Sequence, residues 1–155
     1  MKKILLLCIL NLLVFTSCMG RFDSTVEVAH IMNMIKSDLK WENAVDEDVK
    51  SIENAERYGL VLENIEEGRL YYSKNTENPD KVIIIKAKDE KAIEGIEKAF
   101  NAEVVGLSDA WKNNSKEVKK VDSHVSKTRG KYVTLIVAED AKRIEKLFDS
   151  MIVMR

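Results

Sequence analysis

Several stretches of the chain place their apolar residues on one helical face. Val28, Ile31, Met32, Ile35 and Leu39 recur at spacings of three or four, and Ser24-Thr25-Val26-Glu27 ahead of them reads as a capping box, which predicts a first helix over 25–40. A shorter helix with Val49, Ile52 and Ala55 on its apolar side is predicted behind the acidic run Asp46-Glu47-Asp48, stopped by Gly59, with a turn or short helix over 63–67. The longest stripe runs through Ile93, Ile96, Phe100, Val104, Leu107 and Trp111 behind Asp89-Glu90, and it makes Trp111 a core residue. Asn113-Asn114-Ser115 interrupts that stripe before Val118 and Val121 resume it. Ala141, Ile144, Leu147, Phe148 and Met151 mark a last helix behind Glu139-Asp140.

Other stretches have strand character. Residues 69–75, with Leu70, Tyr71 and Tyr72, and residues 81–88, with Val82, Ile83, Ile84 and Ile85, flank a loop that holds the only proline, and they predict a β-hairpin. Four consecutive branched residues suit a central strand better than an edge. Residues 123–129 and 131–138 predict a second hairpin about Gly130. The resulting order, ααββαββα, is an α+β arrangement whose simplest packing is a four-stranded antiparallel sheet with helices over one face.

The first seventeen residues follow a different logic. Lys2 and Lys3 precede an apolar run from Ile4 to Phe15, broken only by Asn11, and small residues close it. The run is too short for a transmembrane span, which needs about 20 apolar residues, and Arg21 and Asp23 end it. It reads as a secretory signal. Phe15-Thr16-Ser17-Cys18 resembles a bacterial lipobox, with Phe15 in place of the usual aliphatic residue. That resemblance implies cleavage before Cys18, diacylglycerol on its sulfur and an acylated, membrane-attached product, since two or more hydrocarbon chains hold a protein stably at a bilayer. The expected organisation is a signal peptide over 1–17, a lipid-anchored tether over 18–23 and a single α+β domain over 24–155.

Composition changes the picture at this point. The 155 residues are 45% hydrophobic and 33% charged, enough apolar surface for a folded core. Their formal charge of −1 becomes about −3 without Lys2 and Lys3, which offers nothing to a nucleic-acid partner. Cys8 would leave with the signal and Cys18 would carry lipid, so no thiol remains for disulfides, thiolate catalysis or cysteine-based zinc sites. His30 and His124, the only histidines, fall in separate elements, and no metal or other cofactor is expected. There is no G-x-S-x-G elbow or glycine-rich phosphate loop, and acids such as Glu47, Asp48, Glu139 and Asp140 sit where helix starts favour them.

The charge is nonetheless segregated. Residues 112–131 carry Lys112, Lys116, Lys119, Lys120, Lys127, Arg129 and Lys131 against Glu117 and Asp122, while residues 42–67 carry nine acids against Lys50 and Arg57. Lys116, Lys119, Lys120, Lys127, Arg129 and Lys131 form a candidate face for anionic headgroups or envelope polymers. The competing reading is a solvated helix face beside a lysine-protected hairpin. Trp41, Tyr71 and Tyr72 are candidate partner contacts, because adjacent strand residues point to opposite faces and one tyrosine should lie outside the core.

Several of these segments together are similar to one family. Val125-Ser126-Lys127-Thr128-Arg129-Gly130-Lys131-Tyr132, the strand after it and the acidic helix start at Glu139-Asp140 resemble the closing motif of a domain-of-unknown-function family of lipid-anchored proteins, mostly of Gram-positive bacteria. Tyr58-Gly59-Leu60, Tyr71-Tyr72 and residues 82–88 match its middle section, and the resemblance spans roughly 24–150. The chain departs from that pattern at Lys81 and over 111–114. The resemblance implies a fold and an anchored, extracytoplasmic location, and no reaction. The expectation is thus a non-enzymatic envelope module that binds or scaffolds a protein or polymer. A carboxylate-dependent hydrolase and a binder of anionic polymers are the alternatives.

Overall fold

A strand with branched apolar residues at consecutive positions buries both of its faces, and the whole arrangement follows from that. The computed structural model describes residues 25–153. The chain runs α1 (Val28–Leu39), β1 (Ala44–Asp48), α2 (Ile52–Arg57), a 3₁₀ turn (Leu62–Asn64), β2 (Ile65–Ser73), β3 (Lys81–Ala87), α3 (Glu90–Trp111), α4 (Glu117–Asp122), β4 (Val125–Arg129), β5 (Tyr132–Val137) and α5 (Ala141–Met151). The strands make one antiparallel sheet in the order β1-β2-β3-β5-β4, with β3 at its centre.

The class is α+β, as the sequence predicts, but two details of that expectation are corrected. The sheet has five strands, because Ala44-Val45-Asp46-Glu47-Asp48 pairs with β2 from Ala44↔Ser73 to Asp48↔Arg69. Acids are poor strand formers, and this run resembles a helix start until its partners are known. Asp46 is paired with Lys36 of α1 and with Arg69 of β2, and Glu47 accepts from Asn54 and Tyr72. Those contacts hold an acidic edge strand that propensity alone would not.

The helices cover both faces, not one. Ile83 and Ile85 of β3, with Leu70, Val133, Leu135 and Val137, pack under α3 together with Ala55 of α2 and Val121 of α4. Val82 and Ile84, with Tyr71, Tyr132 and Ile136, pack under Val28, Ile31, Met32 and Ile35 of α1 and Ile144 and Phe148 of α5. All four β3 residues from Val82 to Ile85 have no solvent exposure. A one-sided arrangement would leave Val82 and Ile84 in water, at a cost of about 2 kcal/mol for each such side chain.

Local signals set the boundaries. Asp89 caps α3 by accepting from the Ala92 N–H at 3.0 Å, and Ser51 caps α2 through Asn54. Asn114 accepts from the Lys116 and Glu117 N–H groups, so the Asn-rich interruption starts α4 afresh. The anticipated capping box falls in part on Ser24, outside the described residues; α1 begins at Val28, with Glu27 as its N-cap and no side-chain bond from it. Instead Glu67 reaches across from β2 and accepts the Val28 N–H at 2.8 Å. Gly68 allows β2 to pass Val49, since a Cβ there would lie 2.9 Å from the Val49 Cβ.

Candidate functional site

The loop joining β2 to β3 is braced by its own polar residues. Ser73 Oγ accepts from the Asn75 N–H, Asn75 Oδ1 from the Glu77 N–H and Asn78 Oδ1 from the Asp80 N–H, all within 3.1 Å. The Ser73 N–H donates to the Asp80 carbonyl, closing the loop at its base, and the Lys74 N–H donates to the Asn43 carbonyl ahead of β1. Short Asx and Ser turns of this kind replace sheet hydrogen bonds where the chain must reverse. The result is a wall standing over the C-terminal end of α3.

Between that wall and α3 lies a cleft of about 430 Å³, lined by Tyr72, Leu107 and Trp111 together with residues 73–76 and 78–81. Tyr72, Leu107 and Trp111 pack against the α3-side core and are only partly buried, so each contributes apolar surface to the cleft. The charged groups beside it are paired. Lys81 Nζ lies 2.5 Å from Glu103 and 5.5 Å from the centre of the Tyr58 ring. Burial, with the Glu103 carboxylate nearby, pushes the Tyr58 phenol up to about 12. Lys120 Nζ sits 2.9 Å from Asp80 and 2.8 Å from Glu117, which is 6% exposed. Burial works against the Lys120 charge, but the bonds to Glu117 and Asp80 outweigh it and raise its pKa.

A second cleft, of about 320 Å³, brings Asp48, Glu66 and Glu67 together with Lys50 and Arg69 at the start of α1. This is the convergence of acids that hydrolysis by carboxylates would require. Each acid already has a structural partner: Asp48 accepts the Lys50 N–H, Glu67 the Val28 N–H, and Glu66 pairs with Lys86 at 2.8 Å. His30 is exposed on α1, and His124 Nδ1 lies 2.7 Å from the Val121 carbonyl at the end of α4. No group of three or more His, Cys, Asp or Glu is placed to hold a metal among the described residues.

The basic residues singled out from the sequence do not share one surface. Lys116, Lys119 and Lys120 line a 210 Å³ hollow on α4 with Ser123 and Glu139, on the α3 side of the sheet. Lys127 reaches α5 on the other side, 2.9 Å from Glu145 and 2.5 Å from Asp149, and Arg129 lies 3.2 Å from Asp149. Lys131 donates to the Lys88 carbonyl at the β4–β5 turn. Lys120, Lys127 and Arg129 therefore spend their charge internally, and Lys116 and Lys119 are the exposed pair.

The aromatic candidates separate as well. Trp41 stacks on Tyr71 at 5.1 Å between centroids with planes 7° apart, and both belong to the α1 side. Tyr71 is 6% exposed, so neither tyrosine lies wholly outside the core; Tyr72 alone lines the large cleft. Trp111, assigned to the core by its spacing, serves both core and cleft. Leu107, like Trp111, was marked by its stripe as core only, and Asp80 and the loop wall carried no sequence signal beyond the Asn and Pro content of the loop. Cys18 lies outside the described residues, and among those described no helix is long and apolar enough to cross a membrane.

The DUF4358 family model, a domain of unknown function, matches residues 37–138. The chain belongs to this family. The DUF4358 match covers the whole sheet, α2, α3, α4 and every residue lining the large cleft, and leaves out α5 and most of α1. Of the segments that carried the resemblance, residues 58–60, 71–72, 82–88 and 125–138 fall inside it. Neither curated proteins nor solved structures provide a match to the chain.

Proposed function

We propose that this DUF4358 protein is a lipid-anchored, extracytoplasmic module that binds a component of the cell envelope without catalysing a reaction, and that the ligand enters the cleft under the 73–80 loop. The observation that carries this reading is the pairing of partly buried Tyr72, Leu107 and Trp111 with a self-braced wall. Pre-formed concavities with apolar floors and a few polar groups are where ligands bind.

The point where the described chain enters the fold supports it. The Tyr132 hydroxyl donates to the Val26 carbonyl at 2.6 Å, so the chain enters beside the start of β5, which pairs with Lys86 at the end of β3. The cleft includes Lys81, five residues back along β3 and about 17 Å away at 3.3 Å per residue. The seven steps from Cys18 to Thr25 reach about 25 Å at most. A lipid on Cys18 would attach the protein through the chain-entry end, at the opposite end of β3 from the cleft.

Two measurements on the full-length protein in cells test the reading. Cys18→Ala should abolish fatty-acid labelling, and retained labelling would remove the anchor from it. A photo-crosslinking side chain at Thr76 should give envelope adducts that one at exposed Met34 on α1 does not. Equal adducts from both positions would remove the cleft. The carboxylate-hydrolase reading would use Asp48, Glu66 and Glu67, and their existing partners weigh against it.

A further inference from the structure

The chemistry lining the large cleft narrows the ligand, on the reading that this cleft is the binding site. The charges along it are mostly cancelled: Asp80 by Lys120 and Lys81 by Glu103. That leaves Lys74 as the one lining charge without an ion pair among the described residues. A polymer of phosphates would need several free cations here, and the cleft offers one.

The neutral groups are more specific. Asn75 and Asn78 each spend the side-chain oxygen on a loop N–H, which fixes the amide while leaving its NH₂ group with no acceptor among the described residues. The Thr76 hydroxyl stands beside them. Tyr72 and Trp111 supply aromatic surface across the cleft, each backed by the core. An aromatic face is electron-rich and attracts weakly positive C–H groups, while oriented amides donate to hydroxyl and acetamido oxygens. One kind of molecule presents both features within a few ångströms: a pyranose ring, with C–H groups on its face and hydroxyls around its edge.

We propose that the cleft binds a saccharide, made of neutral or N-acetylated pyranose units and carrying at most isolated carboxylates, with a ring lying on Trp111 or Tyr72 and its edge oxygens on Asn75, Asn78 and Lys74. The experiment uses the full-length protein in detergent. Trp41 and Trp111 are the only tryptophans, so Trp41→Phe makes Trp111 the sole emitter and keeps an aromatic ring on Tyr71.

Oligosaccharides of hexose, N-acetylhexosamine and hexuronic acid are titrated at millimolar concentrations, with inorganic polyphosphate and an unrelated extended peptide as comparisons. Saturable change in Trp111 emission with one saccharide class is the expected result. Asn75→Asp and Asn78→Asp preserve the oxygen that each turn uses and remove the donating NH₂, so each should weaken that binding about tenfold with melting unchanged, as loss of one well-formed hydrogen bond does. A Trp111 response to polyphosphate or peptide with none to any saccharide overturns the ligand class and leaves the cleft standing. Saccharide binding that is indifferent to both Asn substitutions overturns the proposed contacts. No response to any probe, with equal Thr76 and Met34 crosslinking, overturns the cleft itself.

Discussion

Gly68→Ala gives a sharp test of how the acidic edge strand is joined to the rest of the sheet. Gly68 lies in β2 opposite Ile85 of β3, and the chain leaving β1 passes directly over it at Val49, which is fully buried. An added Cβ would sit 2.9 Å from the Val49 Cβ, with the Val49 methyl carbons at 3.4 and 3.5 Å. The near contact involves the Val49 Cβ, which moves only with its backbone, and the Val49 N–H is bonded to the Gly68 carbonyl at 3.2 Å. Overpacking of this kind costs about 1–3 kcal/mol. Restricting the unfolded chain returns about 0.4–1 kcal/mol, so the net loss should be about 1–2 kcal/mol. Urea denaturation followed by far-UV circular dichroism reads this as a lower midpoint with an unchanged slope. A Gly68→Ala protein as stable as its parent would refute the close approach of β1 and β2.

Three further outcomes follow from the packing and the charges. Ile83→Ala and Ile84→Ala should each destabilise by about 2–5 kcal/mol, because one faces α3 and the other faces α1 and α5; a mild effect for Ile84→Ala in urea denaturation would restore a sheet covered on one side only. The Tyr58 phenol is raised from 10.0 to about 12, so stability held below pH 10 is lost as pH rises toward 12, by up to about 3 kcal/mol, and Tyr58→Phe should delay alkaline unfolding. Hydrogen bonds from Lys127, then Lys142, hold the Glu145 carboxyl below its ordinary 4.5. Its contribution is present above that value and lost as pH falls through the folded pKa, so the stability gap between the parent and Glu145→Gln should close on acidification.

How far the fold could be read from the chain depended on whether a residue's neighbours were local. Asp89, Gly59, Gly130 and the 113–115 interruption act within a few residues of themselves, and α3, the α2 stop, the second hairpin and the α3–α4 break lie where the pattern puts them. Residues 44–48 are a strand because Lys36 and Arg69 neutralise Asp46 while Asn54 and Tyr72 hydrogen-bond Glu47, and all four belong to other elements more than five residues away. Tyr132 and Val26 are joined across most of the chain, so the entry point relative to the cleft was likewise invisible.

The cleft shows the same limit. Tyr72 was legible as a candidate from strand alternation, and Trp111 from its stripe was legible only as core. Their meeting depends on the C-terminal end of α3 coming beside the end of β2, a tertiary fact with no local signature. The basic stretch failed as one surface for a related reason. Residues adjacent in sequence divide between α4 and the edge strand β4, and Glu145 and Asp149, which neutralise Lys127, come from a later helix.

Hydrogen–deuterium exchange of the full-length protein, compared between isolated envelopes and detergent extract, tests the central claim most directly. A ligand in the cleft predicts that backbone amides over 73–81 and 107–111 are protected in the envelope and lose that protection on extraction. Unchanged exchange in those segments, with envelope-dependent protection confined to the chain-entry end around Val28 and the β4–β5 turn, would contradict it.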